Sequence, residues 1–208
     1  MIRNKKLIRI FFTIVAFTAY HPCFAQNPDI DILKSINPQH PTSLYWRNTS
    51  NSAYYVAGAA TFGTLIYGFI SNDATAKHNG IETFINLGAS VLVTDILKVS
   101  VNRTRPADRY PNDVFVLSPT HHQSFPSGHT SLAFATATTL SIQYHKWYVT
   151  VPAYLWASSV GYSRMYLGKH YPSDVLAGAA VGIGTSYAGH WLNQKLFKKS
   201  TPTHSYHE

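Results

Sequence analysis

The sequence predicts an all-α fold, a helical bundle of about five to six helices that is membrane-embedded, with its functional site at the external helix ends. Three observations predict it. Five apolar or amphipathic segments, roughly Tyr54 to Ile70, Ile81 to Lys98, His129 to Tyr144, Tyr148 to Leu167 and Asp174 to Leu192, each have about the length of a membrane-crossing or fully buried helix. Within them Gly58, Gly63, Gly178, Gly182 and Gly184, with many alanines, predict backbones that approach closely. The charges are also distributed asymmetrically. If the N-terminus is cytoplasmic and each segment crosses once, Lys77, Lys146 and the tail lysines Lys195, Lys198 and Lys199 all fall inside.

In chain order, residues 1–25 join a basic start (Met1 to Lys6) to a mostly apolar run (Leu7 to Tyr20) and a small-residue stretch, Cys23-Phe24-Ala25. That is the pattern of a signal peptide or of a first membrane helix. Residues 26–53 form a polar, proline-punctuated lead-in, expected to be irregular or partly helical. A helical domain over 54–195 follows, with its most informative part at about 81–192, and a basic polar tail closes the chain over 196–208. Between Pro106 and Phe125 runs a long polar link holding Tyr110, Phe115 and Leu117, a candidate lid or lipid-facing rim.

Composition narrows the function classes. The formal net charge of +8 includes Arg3, Lys5, Lys6 and Arg9 of the first segment, so its removal leaves +4. That residue of charge does not call for nucleic acid, and no nucleic-acid-binding motif is visible. The single cysteine also lies in the first segment, which leaves no thiolate metal site in the remainder. The mean hydropathy of −0.09 is low for a polytopic chain, so a soluble helical domain outside the cytoplasm stands as the competing architecture.

Three distant stretches carry the chemistry: Lys98 to Pro106 (K-V-S-V-N-R-T-R-P), Pro126 to His129 (P-S-G-H) and Ser163 to Asp174 (S-R-M-Y-L-G-K-H-Y-P-S-D). Lys98 and Arg105, seven apart at a helix end, and Arg164 from the fourth segment supply cations. Guanidinium grips phosphate as a fork, ammonium as a point charge. Gly128 permits a tight approach at the start of a helix whose unpaired N–H groups face an anion. Ser127 offers a hydroxyl or a helix cap. His170 and Asp174, four apart, let a carboxylate hold one ring nitrogen of an imidazole. Asp95, three before Lys98, is placed to pair with it or to cap the helix end. Arg103 and Arg109 read as surface or rim cations, and His121 and His122 as loop residues near the entrance. Three cations and two histidines in one empty pocket would repel one another, a design that suits an anionic occupant.

The order and spacing K-x6-R-P, P-S-G-H, S-R-x5-H-x3-D resembles the type 2 phosphatidic acid phosphatase superfamily, over roughly Ile81 to Leu192. The resemblance implies a metal-independent phosphatase with no cofactor. In it His170 would be the nucleophile, forming a phosphohistidine, and Asp174 would orient it. His129 would be the general acid, and Lys98, Arg105, Ser127, Gly128 and Arg164 would bind phosphate. It further implies a phosphorylated lipid as substrate and the membrane as partner, at the outer face of a bacterial-type inner membrane. Phosphatidic acid, phosphatidylglycerol phosphate, undecaprenyl pyrophosphate and lipid A phosphate are the candidates. A soluble periplasmic acid phosphatase, a phosphotransferase and a non-catalytic anion-binding membrane protein remain as alternatives.

Overall fold

At the starts of two of the long helices a short polar side chain satisfies orphan backbone N–H groups. In the computed structural model, which describes residues 26–118 and 123–197, α1 spans Gln26–Ile36 and α2 spans Leu44–Gly58. A π-helical turn, Ala59–Gly63, leads into α3, Thr64–Ile70. Then follow α4 (Ala74–Val101), the short α5 (Pro106–Arg109), α6 (Gly128–Tyr144), α7 (Trp147–Tyr166) and α8 (Pro172–Phe197). Ser43 Oγ accepts from the Trp46 amide at the start of α2, and Asp73 Oδ1 from those of Thr75 and Ala76 at the start of α4. Asn102 and His145 end α4 and α6 in the left-handed conformation that stops a helix. Among the described residues there is no strand, and the predicted all-α bundle is what forms.

Each of the five apolar segments lies on a helix, but the lead-in is more ordered than expected. Residues 26–36 are helical, and α2 begins at Leu44, ten residues before Tyr54. The physical reason is a small apolar cluster. Ile30 and Leu33, three apart on one face of α1, bury against Val114 and Tyr171. Asn37 then pins the end of α1. Its amide donates to the carbonyls of Phe115 and Tyr166, and its oxygen accepts from the Phe115 amide. The link after Pro106 is therefore tied down through Val114 and Phe115, and is not a free lid there. Residues 1–25, 119–122 and 198–208, including the predicted leader, His121, His122 and most of the basic tail, lie outside the described residues.

α6 runs through the middle, packed against α2, α4, α7 and α8. Its wholly enclosed residues include Ala133, Ala135, Thr136, Ala137 and Thr138, all small. The α6–α8 crossing is close because Gly178 has no side chain. A Cβ there would lie 2.6 Å from the Ser127 carbonyl, against the first turn of α6. Polar groups join the helices inside: Ser90 and Thr94 of α4 both bond Ser131 of α6 (2.7 and 2.9 Å), and Thr139 of α6 donates to Ser186 of α8 (3.1 Å). The large apolar residues face outwards instead, with Phe69, Ile70, Leu92, Val99, Leu155 and Leu176 between 62% and 81% exposed. Among the described residues, two continuous stretches, Leu44–Ile70 and Ala74–Arg109, are long and apolar enough to cross a membrane.

Candidate active site

The three sequence stretches meet at one end of the bundle. Lys98 comes from the last turn of α4 and Arg105 from the loop after it. Gly128 and His129 open α6, Arg164 ends α7, and His170 sits in the turn before α8. The chain reaches His170 through Gly168, whose φ of +66° only glycine adopts without strain; a Cβ there would strike the Phe115 carbonyl. These six residues line a single cavity of about 540 Å³, with Tyr54, Thr94 and Asp95 also on its walls.

Lys98 and Arg164 bond to neutral groups. Lys98 Nζ donates to the carbonyls of Pro126 (2.7 Å) and Gln123 (3.1 Å), which ties the first motif to the second. It makes no ion pair with Asp95, whose carboxylate is exposed on the same cavity wall. Arg105 Nη1 donates to the Lys169 carbonyl (3.0 Å), tying the first motif to the third. Arg164 is buried; its Nη1 donates to Ser50 Oγ at 2.6 Å, while its Nε is enclosed with no hydrogen-bond partner. Lys169 donates to the Ser118 carbonyl. Burial, then the guanidiniums of Arg164 and Arg105, hold its pKa down to about 8.

Gly128 leaves room. A Cβ there would touch only Thr94 and Lys98, at 3.8 and 4.0 Å, so no internal crowding demands a glycine and the gap belongs to the cavity. Ser127 is placed differently from its sequence expectation. It occupies the N-cap position of α6 without a side-chain cap bond, is fully buried, and its Oγ accepts from Thr130 Oγ1 at 2.9 Å. Its N–H donates to the carbonyl of Asp174. His129 stacks edge-on to Tyr54, with ring centroids 4.7 Å apart.

His170 and Asp174 are both buried, and Nδ1 stands 3.5 Å from Oδ2. That is ion-pair distance and longer than a formed hydrogen bond, so Nδ1 has no partner. Burial lowers the His170 pKa most. Asp174 opposes the shift, Arg164 and Arg105 add to it, and the outcome is about 3. The ring is therefore neutral, with a lone pair available, across the physiological range.

Asp174 is held by more groups than the sequence suggested. Ser124 Oγ (2.5 Å) and the Tyr171 amide (2.9 Å) donate to Oδ2, and Arg103 Nη1 (2.8 Å) donates to Oδ1. Arg103 is thus not the surface or rim cation that its position between the signature residues suggested. Its other nitrogen pairs with Asp29 Oδ2 at 2.8 Å, and its guanidinium lies 3.8 Å over the Tyr171 ring. Asp29, which sequence reasoning missed altogether, also accepts from the Ser173 amide (2.9 Å) and hydroxyl. The local signal was an acid in the first turn of a helix whose bounds the partly helical lead-in did not fix.

The all-α bundle thus gathers lysine, arginine and histidine into one cavity at its helix ends. The family model described as the PAP2 superfamily matches residues 80–198, and the chain belongs to that superfamily. Over 81 residues it is 44% identical to the lipid A 1-phosphatase of Porphyromonas gingivalis, covering 38% of this chain and 18% of that one. Over 109 residues it is 31% identical to the undecaprenyl-diphosphatase of Sulfolobus acidocaldarius, covering 52% of each. The chain thus spans about half or less of the length of these curated relatives. Among solved structures, Aquifex aeolicus LpxE superposes with a TM-score of 0.64 at 32% identity, over 78% of this chain and 94% of that one. The transmembrane PAP2-type phosphatidylglycerolphosphate phosphatase of Bacillus subtilis gives 0.70 at 25% identity, over 91% and 95%.

Proposed function

We propose that this chain is a membrane-embedded lipid phosphatase that hydrolyses a phosphomonoester or pyrophosphate through a phosphohistidine, without a metal. One observation carries the reading. Arg164 is a buried cation with an unpartnered Nε, no carboxylate within ion-pair distance among the described residues, and Lys98 and Arg105 on the same cavity wall. An uncompensated buried charge is strongly unfavourable, and an anionic occupant supplies the missing partner.

In this reading the phosphoryl oxygens lie against Lys98, Arg105, Arg164 and the first N–H groups of α6, in the space left by Gly128. Ser127 contributes its place at the helix start. A lone pair of neutral His170 forms a bond to phosphorus while the bond from phosphorus to the leaving oxygen breaks. His129 gives that oxygen its proton. Water then attacks phosphorus, the phosphorus–nitrogen bond breaks, and His129 recovers a proton from the water. Asp174 steadies the imidazolium that develops on His170.

The outward large side chains and the two long apolar stretches support the membrane as the surrounding medium. The relatives named for lipid A and polyprenyl diphosphate support a lipid leaving group. The lysine distribution supports a site on the external face, with 54–195 as the catalytic unit and residues 1–25 as leader or first span. The deciding experiment is phosphate release by purified protein in detergent with a chelator present, on phosphatidic acid, a polyprenyl pyrophosphate and an aryl phosphate. Chelator-resistant turnover that favours the lipids and vanishes in His170→Ala is expected. Turnover that survives unchanged in His170→Ala overturns the mechanism.

A further inference from the structure

We infer that Asp29 and Arg103 form a positioning clamp that sets the orientation and effective charge of Asp174 at His170, so that α1 is part of the catalytic apparatus. The inference rests on the proposed function for its kinetic consequences, and on geometry alone for the clamp. Asp29 lies outside the 80–198 stretch that matches the family model, and Arg103 falls on an unspecified x position of K-x6-R-P.

The clamp is a chain of bonds with little freedom. Arg103 uses one nitrogen on Asp174 Oδ1 (2.8 Å) and Ser173 Oγ (2.6 Å), and the other on Asp29 Oδ2 (2.8 Å). Its plane is held against Tyr171. Asp29 fixes the far end by accepting from the Ser173 amide, at the first turn of α8. Both carboxylates are buried, Asp29 at 7% exposure and Asp174 at 0%. A guanidinium fork between two buried carboxylates has one low-energy placement, which lysine does not reproduce. Asp174 Oδ1 is thereby fixed on Arg103, and only Oδ2 remains to face His170 Nδ1 at 3.5 Å.

The charges have a consequence with a definite sign. His170 is faced by Asp174 of α8, Arg164 of α7, Arg105 after the α4 end and His129 of α6, with Lys98 lining the same cavity and Lys169 next to it in the chain. Arg103 partly neutralises Asp174, and Asp29 partly neutralises Arg103. Removing the Arg103 charge therefore strengthens the negative field at His170 and raises its titration. Removing the Asp29 charge leaves Arg103 stronger and does the opposite. Any bystander charge pair would give these signs too, so the loss of kcat measured beside them is what separates an orienting clamp from a merely structural tie.

The test compares Asp29→Asn, Arg103→Gln and Arg103→Lys in the full chain in detergent. Two readouts are used: the His170 titration in 15N-histidine spectra, assigned with His170→Asn, and steady-state kinetics. Arg103→Gln should move the titration to higher pH and Asp29→Asn to the same or lower pH. In both, kcat should fall roughly tenfold to a hundredfold, as loss of an orienting partner does elsewhere, with KM changed by less than about threefold. If Arg103→Gln does not fold, Arg103→Lys replaces it: charge kept and fork lost, with kcat down and the titration near wild type. An Arg103→Gln titration that does not rise, or an Asp29→Asn titration that rises, overturns the clamp, as does a lowered melting temperature with unchanged kcat in any of the three variants. Wild-type protein that releases no phosphate from any substrate removes the proposed function, while the titration in the same samples still decides the clamp.

Discussion

His170 Nδ1 stands 3.5 Å from Asp174 Oδ2, with the carboxylate already bonded to Ser124, Tyr171 and Arg103. Asp174 ties the loop before α6, the α7–α8 turn and the end of α4 together, and in the proposed mechanism it also orients the nucleophile. Asp174→Asn should lower kcat and stability together. Losing one partner of a buried ion pair typically costs about 3–5 kcal/mol, and misorienting a catalytic imidazole costs up to roughly 10⁴ in rate. Thermal melts beside single-substrate kinetics check this; intact stability with intact kcat would refute the dual role.

Anion binding should be visible without turnover. A ligand at about a hundred times its Kd stabilises the native state by about 2.7 kcal/mol, which in a chain of this size raises Tm by several degrees. Millimolar phosphate or vanadate should give such a rise in the wild type. Arg164→Met should abolish it, because the unpartnered Nε and the charge leave together, and should lower kcat/KM by roughly 10²–10³. Ser50→Ala removes only the neutral partner of Arg164 Nη1 and should keep most of the shift.

The depressed His170 pKa fixes a direction for pH dependence. The folded state holds the ring neutral down to about pH 3, whereas the unfolded chain protonates it near pH 6.5. Between those values the unfolded state binds more protons, so this group makes stability fall as pH falls through the window. Melting temperature measured from pH 7 to pH 4 should decline, and His170→Asn should decline less steeply. Activity, where neutral His170 is required, should persist below pH 6 for as long as the fold does.

The sequence made the bundle legible because segment length and the outward apolar pattern come from local composition. Six of the cavity-lining residues, those in the three signature stretches, were legible because their spacing is tied to helix ends. Asp29 and the true place of Arg103 were not. Their roles rest on contacts spanning more than seventy residues of chain, between a helix that reads as a polar lead-in and a cation that reads as surface. Ser127 was legible as a helix start, but its hydroxyl turns inward to Thr130, which no spacing reveals.

His129 gives the prediction that best separates acid catalysis from simple binding. At the first turn of α6 it lines the cavity and meets the exposed ring of Tyr54. A general acid matters only as much as the leaving oxygen needs its proton. A lipid alkoxide needs it fully, whereas a nitrophenolate leaves almost unaided. His129→Asn should therefore lower kcat on an alkyl or lipid phosphate by roughly 10²–10⁴, and on a nitrophenyl phosphate far less. Tyr54→Phe keeps the edge-on ring contact and should leave both rates near wild type. Equal losses on both substrates would mean that His129 serves phosphate binding and that the proton comes from elsewhere.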